Sequence, residues 1–214
     1  MKSYSIFTKN WRNRIKYPDR YMNFCACSFM SNIYILGGDT NNCISFDPKT
    51  NVFDCEVATM KEVRKQAGCA VFGGRIVVSG GIDEIRQDGL HFLKTVEVYD
   101  RCANEWSNMP DMLHRRYGHA SVSIRNKLYI IGGCEKQCEV FDSFCQKFAD
   151  IKPILPIYTY YAFKTHYLIM GNKIKIYNKK SLDAAVFDVE KEEWLEVEDF
   201  RMIRSYGRRR IPKY

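Results

Sequence analysis

The stretch RRYGHASVSIRNKLYIIGGCEKQCEVFDSFCQKF, residues 115–148, holds an alternating segment, an apolar run closed by two glycines, and two aromatics at a fixed spacing. Ala120, Val122 and Ile124 alternate with polar residues, the pattern of a half-buried strand. Residues 127–131, KLYII, form a short, largely apolar run closed by two glycines, which suits a strand covered on both faces. CEVFD and QKFAD follow across a short polar turn, so the stretch predicts four antiparallel strands. Such a sheet has two faces and needs neighbours to bury them.

The same pattern recurs along the chain, and a repeat changes the reading of every residue in it. A twin glycine or its equivalent closes an apolar run at NIYILGG (32–38), GRIVVSGG (74–81), KLYIIGG (127–133) and, weakly, HYLIMGN (166–172). An aromatic pair seven residues apart follows each: Phe46 and Phe53, Tyr99 and Trp106, Phe141 and Phe148, Phe187 and Trp194. A further pair, Tyr4 and Trp11, stands at the N-terminus without the strands that precede the others. A shift of 95 residues places Trp11 on Trp106, Arg20 on Arg115, Tyr34 on Tyr129, and Gly37–Gly38 on Gly132–Gly133 without a gap. Arg204-Ser-Tyr-Gly207 after Trp194 echoes Arg115-Arg-Tyr-Gly118 after Trp106, as though another unit were starting. In FDPKTNVF, Asp47 followed by Pro48 favours a type I turn between the last two strands.

Twin glycine after an apolar strand, Tyr/Phe-Asp before a turn, Trp/Phe seven residues beyond that aromatic, and an Arg soon after: together these resemble the kelch repeat, from about Tyr4 to Gly207. The resemblance implies an all-β fold, a kelch β-propeller of about four recognisable four-stranded blades with partial blades at both ends, in an incomplete or irregularly closed ring. The chain then reads as a single kelch-repeat domain, 1–214. It comprises a blade end at 4–17, blades at about 20–57, 64–110, 115–152 and 157–198, and the start of another at 204–211. Gly37, Gly38, Gly80, Gly81, Gly132 and Gly133 are expected to permit close backbone approach, and Tyr99, Trp106 and Trp194 to fill the space between blades. The pattern departs from the family's at Phe53 and Phe148, which replace Trp, and at Gly171-Asn172, which replaces a twin glycine.

The run VEVYDRCANEWSNMPDMLHRRYGHASVSIRNKLYIIGG, then CEVFDSFCQKF, then FDVEKEEW, is similar to the C-terminal part of animal BTB-BACK-kelch proteins. That likeness implies a non-catalytic module, the substrate-recognition region of a cullin-RING ubiquitin-ligase adaptor. An actin-binding role is the alternative. Six blades of roughly 45 residues need about 270, so the 214-residue chain is read as the C-terminal part of a longer adaptor, and nothing in residues 1–20 resembles the cullin-holding BTB region.

Partner contact is expected from two loop sets. Those after the twin glycines carry Asp39, Thr40 and Asn41, then Asp83, Glu84 and Arg86 in a long insertion, and Glu135, Lys136 and Gln137. Those between blades carry Arg20, Arg64, Lys65, Arg115, Arg116 and Tyr117. Arginine suits such a surface because its planar fork pairs bidentately with carboxylate or phosphate, so the partner would be an acidic or phosphorylated protein segment if Arg64, Arg115 and Arg116 line a pocket. Arg20 and Arg115 recur with the repeat and suit a structural turn equally well.

Composition narrows the remaining classes. The net charge of +8 resides in the basic ends of the chain, with a mildly acidic body between them, which reads as solvated tails rather than a nucleic-acid footprint. The N-terminus lacks the apolar core of a signal peptide and no stretch has the length of a membrane span, so a cytoplasmic protein is expected. Nine scattered cysteines fit free thiols in a reducing compartment. Neither Cys25 with Cys27 nor Cys134 with Cys138 has zinc-ligand spacing, and His91, His114, His119 and His166 lack a matching carboxylate pattern, so no metal or cofactor is expected. A copper oxidase built on kelch blades is the remote reading, since the tyrosines sit at repeat positions. The twin glycines lack the Lys-Ser/Thr of a phosphate cradle.

Overall fold

The computed structural model describes residues 2–5, 10–13, 22–83, 91–134, 137–152, 166–177 and 184–195. All regular elements among them are strands. Among the described residues no helix is long and apolar enough to cross a membrane. The chain divides into two compact units, Met1–Tyr117 and Gly118–Tyr214.

The first unit opens with a hairpin, β1 (Lys2–Ser5) and β2 (Asn10–Asn13), in which Tyr4 is opposite Trp11. Its first four-stranded sheet runs β3 (Cys25–Phe29), β4 (Asn32–Leu36), β5 (Cys43–Asp47), β6 (Val52–Asp54), in that order. The second is built of β7 (Gly68–Phe72), β8 (Arg75–Ser79), β11 (Val96–Asp100) and β12 (Glu105–Met109). A two-stranded ribbon, β9 (Ile82–Asp83) and β10 (His91–Phe92), is inserted between β8 and β11. The second unit holds a sheet of β13 (Ala120–Ile124), β14 (Lys127–Ile131), β15 (Cys138–Asp142) and β16 (Lys147–Ile151). Its other sheet is β17 (His166–Met170), β18 (Lys173–Tyr177), β19 (Ala184–Asp188) and β20 (Glu193–Leu195). All neighbours in these sheets are antiparallel.

The seven-residue spacing of the aromatics is a hairpin register. Phe46 is opposite Phe53, Tyr99 opposite Trp106, Phe141 opposite Phe148 and Phe187 opposite Trp194. Their rings lie 4.8, 5.1, 5.1 and 5.1 Å apart, within the range of tilted aromatic contacts that contribute about 1 kcal/mol beyond their buried area. The aspartate after the first aromatic closes each turn. Oδ1 of Asp47, Asp100, Asp142 and Asp188 accepts the N–H of Lys49, Cys102, Phe144 and Glu190 at 2.7, 2.9, 2.7 and 3.0 Å. At Asp47 this bond holds the carboxyl below its ordinary pKa. The last turn residue has positive φ in every copy: Asn51, Asn104, Gln146 and Glu192, at 62, 51, 53 and 53°.

The weak fourth motif has a different register from the one its sequence suggests. Gly171-Asn172 is the two-residue turn between β17 and β18, at the place of Gly73-Gly74 between β7 and β8, and is not the twin glycine that follows a second strand. The resemblance of HYLIMGN to KLYIIGG misled because both end an apolar strand in a turn.

In each unit one sheet packs on the other through a tyrosine of the second strand. Tyr34 of β4 lies 6.1 Å from Tyr99 of β11, in a core with Leu36, Met60, Ile76, Val78 and Trp106. Tyr129 of β14 lies 5.9 Å from Phe187 of β19, among Val122, Ile131, Ile174 and Ile176. Burial pushes the hydroxyls of Tyr99 and Tyr129 up to about 12.

The second glycine of each twin in the first unit sits where no side chain fits. Gly38 and Gly81 have φ of 106 and 105°, and a Cβ on Gly81 would lie 2.9 Å from the Lys65 carbonyl oxygen and 3.2 Å from Arg64 Cβ. Gly73, with φ of 56°, has nothing within 4 Å. Gly81→Ala is therefore expected to cost about 3 kcal/mol and Gly73→Ala about 1 kcal/mol, read from urea unfolding of the two variants.

Candidate functional site

The site is built from the segments that carry the chain from one sheet to the next in the first unit. Gly38 N–H donates to the Arg64 carbonyl at 3.1 Å, and Gly81 N–H donates to the Arg116 carbonyl at 2.9 Å. The twin glycine of one repeat is thus tied to the arginine that opens the next. Lys65 and Ile82 exchange both backbone bonds, at 2.9 and 2.8 Å, and Arg116 N–H donates to the Leu93 carbonyl at 3.1 Å. These bonds bring the loop 37–42, the ribbon β9–β10 and residues 115–117 together at one edge.

Arg64 lies inside this edge with no exposed surface. Its Nε donates to Glu97 Oε1 at 2.9 Å, Nη1 to the Gly80 and Thr95 carbonyls at 2.9 Å each, and Nη2 to Glu62 Oε2 at 2.7 Å and Thr95 Oγ1 at 2.8 Å. A guanidinium has five N–H donors, and all five are used. Glu97, itself buried, also accepts the backbone N–H groups of Lys61 and Glu62 at 2.8 and 3.3 Å. The Thr95 hydroxyl donates to Glu62 Oε2. A buried cation with this many partners is a structural anchor, since losing one side of such a pair strands the other charge away from water.

Arg64 and Arg116 were expected to face a partner, and both are fully buried instead. The physical reason is the repeat itself: Arg64 and Arg116 occupy the same place ahead of β7 and β13, where the backbone turns inward to meet a twin glycine. The condition for an acidic or phosphorylated partner, three arginines lining one pocket, is therefore not met. Asn41 is half-buried and committed to the linker, its Nδ2 donating to the Met60 carbonyl at 2.7 Å.

Four of the expected contact residues do share an accessible edge. Asp39 is exposed and pairs with Lys65 Nζ at 3.1 Å. Asp83 is half-exposed in the ribbon opposite His91. Arg115 is exposed and donates from Nη1 to the Phe92 carbonyl at 3.0 Å, while the Tyr117 ring packs against Phe92 with centroids 4.7 Å apart and planes tilted by 48°. Arg86, Glu135 and Lys136, like Arg20 and Glu84, lie outside the described residues. The sequence reading missed Glu97, Glu62 and Thr95. An acid between two valines in VEVYD, repeated as Glu139 in CEVFD and buried in both copies, was the available signal that a cation had to be nearby.

The tryptophans grip the linkers. Trp106 Nε1 donates to the Ala58 carbonyl at 2.8 Å, and Trp194 Nε1 to the Lys152 carbonyl at 2.9 Å. Asn104 adds to the first, accepting from Ala58 N–H at 3.0 Å and donating to the Glu56 carbonyl at 3.0 Å. Among the described residues no group of three or more His, Cys, Asp or Glu is placed to hold a metal ion.

A family model described as "Kelch motif" matches residues 64–113 and 115–144, which contain the Arg64 anchor, both paired aromatics of the second sheet and the repeat beginning at Arg115. Residues 64–113 and 115–144 are kelch motif repeats. The chain's kelch relatives are distant. The Caenorhabditis elegans spermatocyte protein spe-26 is 29% identical over 147 residues, 62% of this chain and 25% of that protein. Human kelch-like protein 23 is 26% identical over 126 residues, 59% of this chain and 22% of that protein. Human kelch-like protein 25 is 33% identical over 112 residues, 51% of this chain and 18% of that protein. The match thus spans a quarter or less of these curated relatives. The solved structure of YjhT aligns with a TM-score of 0.72 over 86% of this chain and 67% of that one, at 16% identity, a likeness of fold alone. The four four-stranded sheets are blades of a kelch propeller fold, a protein-interaction module related to the kelch-like proteins.

Arg64→Met is expected to lower stability by about 3–5 kcal/mol, because Glu97 is left buried without its cation, whereas Arg115→Ala changes it by less than about 0.5 kcal/mol. Urea unfolding followed by tryptophan fluorescence separates the two.

Proposed function

We propose that this chain is the substrate-recognition kelch region of a cullin-RING ubiquitin-ligase adaptor, non-catalytic itself and cytoplasmic. The reading rests on the distant homology to kelch-like proteins together with one structural observation. The edge where loop 37–42, the β9–β10 ribbon and residues 115–117 meet presents Asp39, Asp83, Lys65, Arg115 and Tyr117 on a rigid backbone. Binding residues on loops held by a fixed frame are the usual arrangement for recognition. Both charge signs are present, so a protein segment of mixed charge fits the edge better than a uniformly acidic one. Tyr117, packed against Phe92 and half-buried, supplies the aromatic anchor that such contacts commonly need.

The test is affinity capture with the chain and with an Asp39→Ala/Lys65→Ala/Arg115→Ala variant, quantified by mass spectrometry. A partner that falls by roughly tenfold or more in the variant, and whose ubiquitination rises with the full adaptor, is the expected result. Equal recovery of the same proteins by both forms contradicts it, and equal recovery of actin transfers the chain to a cytoskeletal role.

A further inference from the structure

Two hairpin turns keep a long side chain where the other two have glycine. The first residue of the turn between the first two strands of each sheet is left-handed: Met30, Gly73, Arg125 and Gly171, with φ of 47, 56, 50 and 59°. Glycine adopts that conformation without penalty and a side chain does not, so Met30 and Arg125 call for a compensating contact. Both have one, and both reach the same place, the turn between the last two strands of the other sheet of their unit. Arg125 Nη2 donates to Glu190 Oε1 at 2.6 Å, an oxygen that also accepts from Asn172 Nδ2 at 2.9 Å. Arg101 Nη1 donates to Met30 Sδ at 3.2 Å.

The two clasps differ in strength. Arg125 meets a carboxylate, whereas Arg101 meets a thioether, one of the weakest acceptors a side chain offers. One added oxygen removes that mismatch, because a sulfoxide is polar and presents its oxygen as an acceptor. Met30 is 60% exposed and open to a small oxidant, while Met60 and Met112 are buried. Met22 is as accessible at 65%, but no guanidinium is bonded to its sulfur among the described residues. The Met30 turn lies at the opposite end of β4 from Gly37 and Gly38, so the recognition edge does not account for it.

We infer that Met30 is an oxidation site whose sulfoxide is held by Arg101, so that a hydroperoxide tightens the clasp between the first two four-stranded sheets. A lone pair on Met30 Sδ attacks the terminal hydroperoxide oxygen, and the S–O bond forms as the O–O bond breaks. The other oxygen leaves as water or alcohol, taking the proton that the attacked oxygen carried. Sulfur gives up two electrons and the hydroperoxide gains them. The new oxygen accepts the Arg101 N–H in place of the sulfur, and the bond is now charge-assisted at a strongly polar acceptor.

The test treats the full chain with dilute hydrogen peroxide and then with dithiothreitol, which returns disulfides and sulfenic acids to thiols and leaves methionine sulfoxide in place. Trypsin places Met22 and Met30 on one peptide, 21–49, and fragmentation between them reads each sulfur separately. Met30 is expected to gain about 16 Da, one oxygen. Urea unfolding of treated and untreated chains then gives the effect of oxidation in wild type and in Arg101→Ala. Relative to its own untreated form, the treated wild type is expected to have an unfolding constant about threefold smaller than the treated variant, since oxidation elsewhere is common to both. Met30→Gln offers an amide oxygen without any oxidant. It is expected to exceed Met30→Leu in stability by a similar factor when Arg101 is present and to equal it in Arg101→Ala. A Met30 that stays a thioether while Met22 is oxidised overturns the proposal. So does an oxidation effect that is the same with and without Arg101, or equal stability of the Gln and Leu variants in the presence of Arg101.

Discussion

Arg64 is the node on which the first unit depends. Its carbonyl receives the amide of Gly38 from one sheet, while its guanidinium binds Glu97, Gly80 and Thr95 of the next. A single residue therefore joins two blades through backbone on one side and side chain on the other. Burying a guanidinium without partners would cost several kcal/mol, and the arrangement is tolerable because every donor is used and a buried carboxylate lies beside it. The constraint runs outward from there. A filled Arg64 site leaves room for nothing but hydrogen on Gly81, and the twin glycine follows from that crowding rather than from turn formation alone.

The second unit uses the same devices with different residues. Tyr129 against Phe187 repeats Tyr34 against Tyr99, and the Trp194 bond to the Lys152 carbonyl repeats the Trp106 bond to Ala58. The shift of 95 residues seen in the sequence relates the first sheet of one unit to the first sheet of the other, Tyr34 to Tyr129, whereas the second-sheet pairs Tyr99–Trp106 and Phe187–Trp194 are offset by 88. Buried Cys43 and Cys138 fall on one another under the shift of 95.

The strands, the hairpin register and the aromatic pairs were legible because each reflects local chemistry: alternation, an Asp that closes a turn, and seven residues between partners. The arginines were not. An Arg in a loop between strands reads as exposed, and only the position of Glu97 on a neighbouring strand, 33 residues on, shows that Arg64 is drawn inward. Arg115 and Arg116 look alike in sequence, yet one is exposed and the other buried, because adjacent residues in an extended segment point to opposite sides. The fourth repeat was displaced by one strand because an apolar strand ending in Gly-Asn can precede either kind of turn.

With the arginines assigned to the frame, recognition passes to a smaller set of side chains held above it. Everything then rests on whether the junction is as firm as the sheets it joins. Native-state hydrogen exchange at the Gly38 and Gly81 amides measures this directly. The account predicts that both exchange only by the opening that releases the β8 and β11 amides, with the same free energy. Exchange of the two glycines at the rate of the neighbouring loop amides, while the strands stay protected, would contradict it.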